Sequence, residues 1–181
     1  MKITLKEFFK TIWAAFWEIR WLLLFIGVPC LIIFFFAKPA VSYGESMEES
    51  LHDGDIMLGE RVTYKFKDPE RFDIVMFESG DEEEPLYVKR IIGLPGEKVR
   101  IDDDGNIYIN GEILKENYGK TPIDDPGIAE EEITLADDEV FCLGDNREVS
   151  EDSRYIGPVK IKDIKLHLYF RVWPISDFGK I

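Results

Sequence analysis

LYVKRIIGLPGEKVRIDDDGNIYING, residues 86–111, carries the clearest strand-and-turn pattern in the chain. Leu86–Leu94 is rich in β-branched, aliphatic and aromatic residues and is followed by Pro95 and Gly96, which suit a turn better than a continuing strand. VRI and IYI then flank Asp104-Gly105-Asn106. An Asp-Gly step tolerates the positive φ that a tight turn needs, so this segment reads as a hairpin. Successive side chains of a strand face opposite sides, which sets Lys89 and Arg90 on different faces.

The same pattern recurs on both sides of this stretch. DIMLGERVTY (55–64), FDIVMFE (72–78), EVFCLGD (139–145) and KLHLYFRVW (165–173) read as strands separated by turn residues, so residues 39–181 are expected to form one mainly β domain. The acidic run Asp81–Glu84 reads as a solvated tip between two of these strands. Residues 112–139, with Pro122, Pro126, Gly127 and many acids, read as an irregular excursion from the β core.

The N-terminal part obeys a different rule. Trp21–Ala37, WLLLFIGVPCLIIFFFA, is a seventeen-residue apolar run bracketed by Arg20 and Lys38, near the lower limit of about 17–25 residues for a membrane helix. Residues 21–38 are therefore expected to span a membrane, and residues 1–20 to form a cytoplasmic, interfacial helix carrying Trp13, Phe16 and Trp17. Lys2, Lys6, Lys10 and Arg20 precede the run and only Lys38 closely follows it, which places the N-terminus in the cytoplasm and the β domain outside. A cleavable secretory signal is the competing reading, although AKPAVS is a poor small-residue cleavage site. Pro29 fits either, since a mid-span kink is tolerable where neighbouring groups satisfy the freed backbone.

Charge and cysteine usage narrow the function classes. The whole chain carries a formal charge of −14, with five Lys/Arg against two Glu in residues 1–38 and seventeen against thirty-four acids in residues 39–181. Such an acidic domain lacks the cationic footprint of a nucleic-acid binder. Cys30 lies in the apolar run and Cys142 in the β domain, so a bridge between them is not expected and the domain must rest on its core.

One pair of residues carries chemistry. Ser46, in YGESMEESL, lies shortly after the apolar run, and Lys89 lies in the strand at 86–94. A serine hydroxyl becomes a useful nucleophile when a base takes its proton, and lysine is a base only when its surroundings favour the neutral amine. Read alone, Lys89 suits a surface lysine beside an arginine, and Ser46 a turn serine.

The motifs around the pair decide between these readings. SMEESL, GDIML, YVKRIIGLPGE with DGNIYING, and FCLGDNREVSEDSRYIGPV, in this order after an apolar N-terminal segment, resemble the sequence boxes of bacterial type I signal peptidases, in their Gram-positive, single-span form. The resemblance covers nearly the whole β domain. It implies a folded β-sheet or barrel fold, no metal and no cofactor, with Ser46 as nucleophile and Lys89 as general base and neither His52 nor His167 in the chemistry.

Further roles follow from the same resemblance. The Ser46 backbone N–H would be one oxyanion donor. Gly44 stands where some relatives carry a hydroxyl, leaving open a backbone donor near it or a plain turn glycine. Ser150 would orient the lysine, with Asp145, Asp152 and Arg154 fixing the structure around it. Met47, Leu51, Tyr87 and Val88 would line the region that accepts small residues before the cut, or serve as core packing. The implied partners are signal peptides of exported preproteins, the lipid bilayer and a secretion translocon, with no nucleic acid, and an extended substrate would add as a strand beside residues 40–46.

One departure stands out. Where the family pattern has proline and threonine after the serine turn, this chain has Glu49 and Ser50, preceded by Glu48. Proline would fix φ beside the nucleophile, and a carboxylate turned inward would favour charged Lys89, so both acids are expected to point outward. Two other Ser/Lys readings are a catalytically weak relative acting as an assembly factor or chaperone for surface proteins, and a self-cleaving repressor. The repressor would carry a DNA-binding domain where this chain has its apolar run. An unrelated anchored β domain is the remaining alternative.

Overall fold

The computed structural model describes residues 5–29, 31, 37–48, 50–80, 86–119 and 122–181. They fall into two compact units that meet between Ala37 and Lys38.

In the first unit Leu5–Leu22 forms helix α1, which widens into a π-helical turn over Leu23–Gly27. Pro29 follows that turn, and a proline at this point has no N–H to offer Phe25, four residues back. Trp13, Phe16, Trp17 and Trp21 are all exposed, and the Arg20 guanidinium lies 3.6 Å from the Trp17 ring centroid. Among the described residues no helix is long and apolar enough to cross a membrane. Residues 30 and 32–36 of the expected 21–38 span, including Cys30, lie outside the described residues.

The second unit is mainly β, as the strand pattern predicts. The strands are β1 (Lys38–Val41), β2 (Ile56–Glu60), β3 (Ile74–Glu78), β4 (Leu86–Gly93), β5 (Lys98–Ile101), β6 (Ile107–Ile109), β7 (Glu112–Ile113), β8 (Ile133–Thr134), β9 (Glu139–Leu143), β10 (Val159–Lys160), β11 (Ile164–Trp173) and β12 (Gly179–Lys180). The short helix α2 covers Ser153–Ile156. An eight-stranded sheet runs β1-β2-β11-β3-β4-β9-β10, with β12 on β11, and a four-stranded sheet runs β7-β6-β5-β8. The larger sheet is open between β1 and β10 rather than closed into a barrel by hydrogen bonds among the described residues.

The excursion is wider than residues 112–139. The hairpin of β5 and β6 pairs with β7 and β8 rather than with the larger sheet, so the small sheet takes in the Asp-Gly turn as well. In that turn Gly105 has φ +78° and packs so closely that a Cβ would lie 2.8 Å from the Ile123 carbonyl oxygen. Glycine is thus needed for both torsion and space. The acidic tip read for Asp81–Glu84 lies outside the described residues.

Period-2 alternation supplies two cores at once. On β3, Ile74 and Met76 join Ala40, Met47, Leu51, Met57 and Leu168 in one cluster, while Val75 and Phe77 join Tyr87, Ile91, Val140 and Cys142 in another. A third cluster, with Ile92, Val99, Ile101 and Phe141, ties the small sheet to the large one. Each such side chain contributes about 1.5–3 kcal/mol when fully buried. Strands β3 and β4 are therefore apolar on both faces, and Lys89 and Arg90 are charged side chains set into packed surroundings.

Candidate active site

Ser46 sits in a turn closed by the Glu48 N–H donating to the Glu45 carbonyl at 3.2 Å, and the Leu51 N–H closes the next turn on the Met47 carbonyl at 2.8 Å. Met47 and Leu51 project into the core beneath the turn, 2% and 0% exposed. Burial of these two apolar side chains pins the turn, and Ser46 is left partly exposed. Lys89, from the middle of β4, is 4% exposed and its Nζ lies 2.8 Å from Ser46 Oγ. The pair predicted from sequence is therefore in direct contact across the 43 residues that separate it.

The surroundings suit a base. Burial removes the water that stabilises an ammonium and so favours the neutral amine, to which the Ser46 hydroxyl could donate. The Tyr87 ring centroid is 4.9 Å from Nζ and forms part of the wall. No histidine lines this cavity among the described residues. His167 lies elsewhere, between Glu60 and Asp73 at 3.6 and 3.5 Å, and is part of the sheet's polar surface.

Arg90 is turned to the opposite face of β4, as alternation requires, and is buried there rather than exposed. Its guanidinium grips Asp145 through Nε at 2.9 Å and Nη2 at 2.7 Å, donates to the Phe72 carbonyl and the Ser50 hydroxyl, and stacks 3.8 Å from the Tyr118 ring centroid. Phe72 holds φ +75°, a costly torsion for a bulky residue, with its N–H bonded to the Ile91 carbonyl. The turn that carries Ser46 is held a second time by Arg171, which donates to the Ser50 carbonyl and pairs with Asp55. Sequence reading missed both arginines as supports of the turn. The signal was there for Arg90, an arginine in an otherwise apolar strand.

The GDNREVSEDSR segment closes over this turn. The Asn146 N–H donates to the Ser46 carbonyl at 3.1 Å. Asp152 accepts from the Gly144 N–H, and Arg154 chelates Asp152 at 2.9 and 3.0 Å while donating to the Arg147 and Ser150 carbonyls. Burial alone would make Arg154 easier to deprotonate, but the hydrogen bonds and charge of Asp152 hold it above its ordinary value. Asp145, Asp152 and Arg154 thus lie where a supporting shell was expected.

One expected contact is missing and two open readings narrow. Ser150 is buried beside Gly144, yet among the described residues its Oγ has no hydrogen-bond partner, so the expected bond to Lys89 is not formed. The Gly44 N–H donates to Asp53 Oδ1 at 2.9 Å and Gly44 has φ +77°, which makes it a turn glycine whose donor is occupied. Met47 and Leu51 are core residues and do not line the cavity, because their side chains are spent on packing the turn. Glu48 is partly buried rather than fully exposed, and Glu49 lies outside the described residues.

A cavity of about 910 Å³ opens onto Ser46 and Lys89. Tyr87 and Val88 line it from β4 and Pro39, Ala40 and Val41 from β1, a strand at the end of the sheet with one side unpaired among the described residues. An extended peptide laid here can reach Ser46 and an open strand edge together.

The family model for signal peptidase, peptidase S26, matches residues 15–173. The chain belongs to the signal peptidase family, peptidase S26. A probable signal peptidase I-2 from Synechocystis sp. is 37% identical over 150 residues, covering 80% of this chain and 67% of that protein. A signal peptidase I from Bacillus caldolyticus is 34% identical over 170 residues, covering 88% and 91%. Among solved structures, a signal peptidase I from Enterococcus faecalis V583 aligns with TM-score 0.46 and 35% identity over 56% of this chain and 97% of that one. The protein is a serine peptidase of the type I signal peptidase kind. The assembly-factor alternative is not favoured.

Proposed function

We propose that this signal peptidase uses Ser46 as nucleophile and Lys89 as general base to cleave signal peptides from exported preproteins, while anchored to a membrane by its N-terminal segment. The observation that carries the reading is the 2.8 Å contact between a buried lysine amine and a serine hydroxyl that opens onto a peptide-sized cavity. Ser46 Oγ attacks the scissile carbonyl as Lys89 Nζ takes its proton, and the acyl group becomes bonded to Oγ. Lys89 returns the proton to the leaving amine, then activates the water that hydrolyses the ester. The Ser46 N–H serves the developing oxyanion, an interaction worth roughly 2.7–4 kcal/mol for one such donor.

The anchor is read from the apolar run at 21–38 and the positive charges before it, which favour a cytoplasmic N-terminus and an extracytoplasmic β domain, with the lipid bilayer and a secretion translocon as neighbours. Ser46 follows this run within a few residues, which suits a substrate whose cleavage site emerges at the end of a membrane helix. Cleavage of a preprotein by the full chain in detergent tests the dyad. Ser46→Ala should abolish it and Lys89→Ala should lower it by about 10²–10⁴; wild-type rates in both variants would refute the assignment.

A further inference from the structure

The cleft has a charge character that its size alone does not explain. Most of its wall is apolar, including Val41, Met76, Leu86 and Val149, but two carboxylates also line it, Glu45 beside the serine and Glu151. Glu151 is fixed there, because the buried Tyr87 donates its hydroxyl to Glu151 Oε2 at 3.0 Å. The cation on the lining is Lys89, which must be neutral to act as base. In the reactive state the described lining therefore carries two negative charges and no positive one, within a domain holding thirty-four acids against seventeen bases. Low-dielectric walls focus such a field on whatever enters the cleft.

From this arrangement we infer that Glu151, held by Tyr87, is a specificity-determining residue: the cleft favours an extended apolar segment carrying a lysine or arginine side chain near the scissile bond, and disfavours an acidic one. The inference rests on the Ser46/Lys89 reading of the site. Glu151 is exposed, so the contribution is that of a surface ion pair reinforced by repulsion of the wrong sign.

The test uses the full chain in detergent and peptides with small residues before the cut, each carrying Lys, Gln or Glu at one position flanking it. At one or more positions kcat/KM for the Lys peptide should exceed that for the Glu peptide by about five- to tenfold at low salt. The ratio should shrink to about twofold in roughly 1 M salt, where the screening length is about 3 Å. Glu151→Gln keeps an acceptor for the Tyr87 hydroxyl and removes only the charge, and should bring the ratio towards about two. Glu112→Gln, the same charge change on the small sheet, should leave the ratio at the wild-type value. Equal cleavage of Lys and Glu peptides by the wild type at every position would overturn the inference, as would equal loss of preference in both variants. If Ser46→Ala still cuts the Gln peptide, the dyad itself is misassigned and the inference falls with it; Ser46-dependent cleavage without charge preference sinks the inference alone.

Discussion

Removing the Asp145 carboxylate isolates the Arg90 guanidinium in a place with little water to solvate it. Arg90 is 4% exposed and Asp145 fully buried, and two hydrogen bonds join them at 2.9 and 2.7 Å. Asp145→Ala leaves Arg90 with the Phe72 carbonyl, the Ser50 hydroxyl and the Tyr118 ring. None of these carries a full negative charge. Breaking a buried pair from one side costs about 3–5 kcal/mol, a large part of the roughly 5–15 kcal/mol that stabilises an ordinary domain. For a β domain of this size each kcal/mol moves the midpoint by roughly 2–4 °C, so thermal unfolding followed by circular dichroism should show a fall on the order of 6–20 °C. Replacing both partners, as Arg90→Met with Asp145→Leu, removes the stranded charge and should recover most of that loss. Cleavage by the double variant should nevertheless stay at least about tenfold down, because Ser50 loses a donor that holds the Ser46 turn. A single variant that melts within about 2 °C of wild type, or a double variant as unstable as the single, would refute the reasoning.

Three further outcomes are expected. In Gly144→Ala the new Cβ would lie 2.5 Å from the Ser46 carbonyl oxygen and collide with Ser150 Oγ, so the serine turn must shift and kcat for a model peptide should fall at least about tenfold, a retained rate showing that the turn tolerates displacement. Burial would raise the Asp73 pKa, but His167, the Glu70 N–H and the Tyr64 hydroxyl together hold it below the usual carboxylate range. Such a group contributes stability above its unfolded value that is lost as pH falls through the folded one, so urea midpoints should drop below about pH 4 and Asp73→Asn should flatten the drop. Lastly, kcat/KM should rise with pH as Lys89 loses its proton; a profile governed by a group near 6.5, the ordinary histidine range, would count against a lysine base.

Much of the fold was legible because the strands follow local rules. The run at 86–94 became β4 and the Asp-Gly step became the β5–β6 turn, since β-branched content and a positive-φ glycine decide these locally. What could not be read was partnership at a distance. The β5–β6 hairpin pairs with β8, which lies far along the chain, so nothing in its own residues announced a second sheet. The pairing of Ser46 with Lys89 was legible through the motifs around them, whereas the placing of Met47, Leu51 and Gly44 turned on which way a side chain or N–H points within one turn. Arg171 was invisible for a related reason: it reaches Ser50 across 121 residues.

The buried charges around the dyad answer a difficulty that the sequence poses. A segment with as many acids as GDNREVSEDSR, folded against the lysine proposed as base, would by itself favour the charged form of that lysine. The charge does reach inward: burial pushes the Cys142 thiol pKa up, Asp152 pushes it further, and Lys89 opposes. Each aspartate of the shell is, however, chelated by its own arginine, Asp145 by Arg90 and Asp152 by Arg154. A closely paired couple presents a dipole rather than a charge, and its field fades faster with distance than that of a lone carboxylate. The arginines therefore do two things at once, holding the segments that carry Ser46 and Ser150 while offsetting acids whose charge would favour an ammonium at Lys89. Glu45 and Glu151 escape this cancellation because they face the cleft, where their charge acts on an incoming peptide.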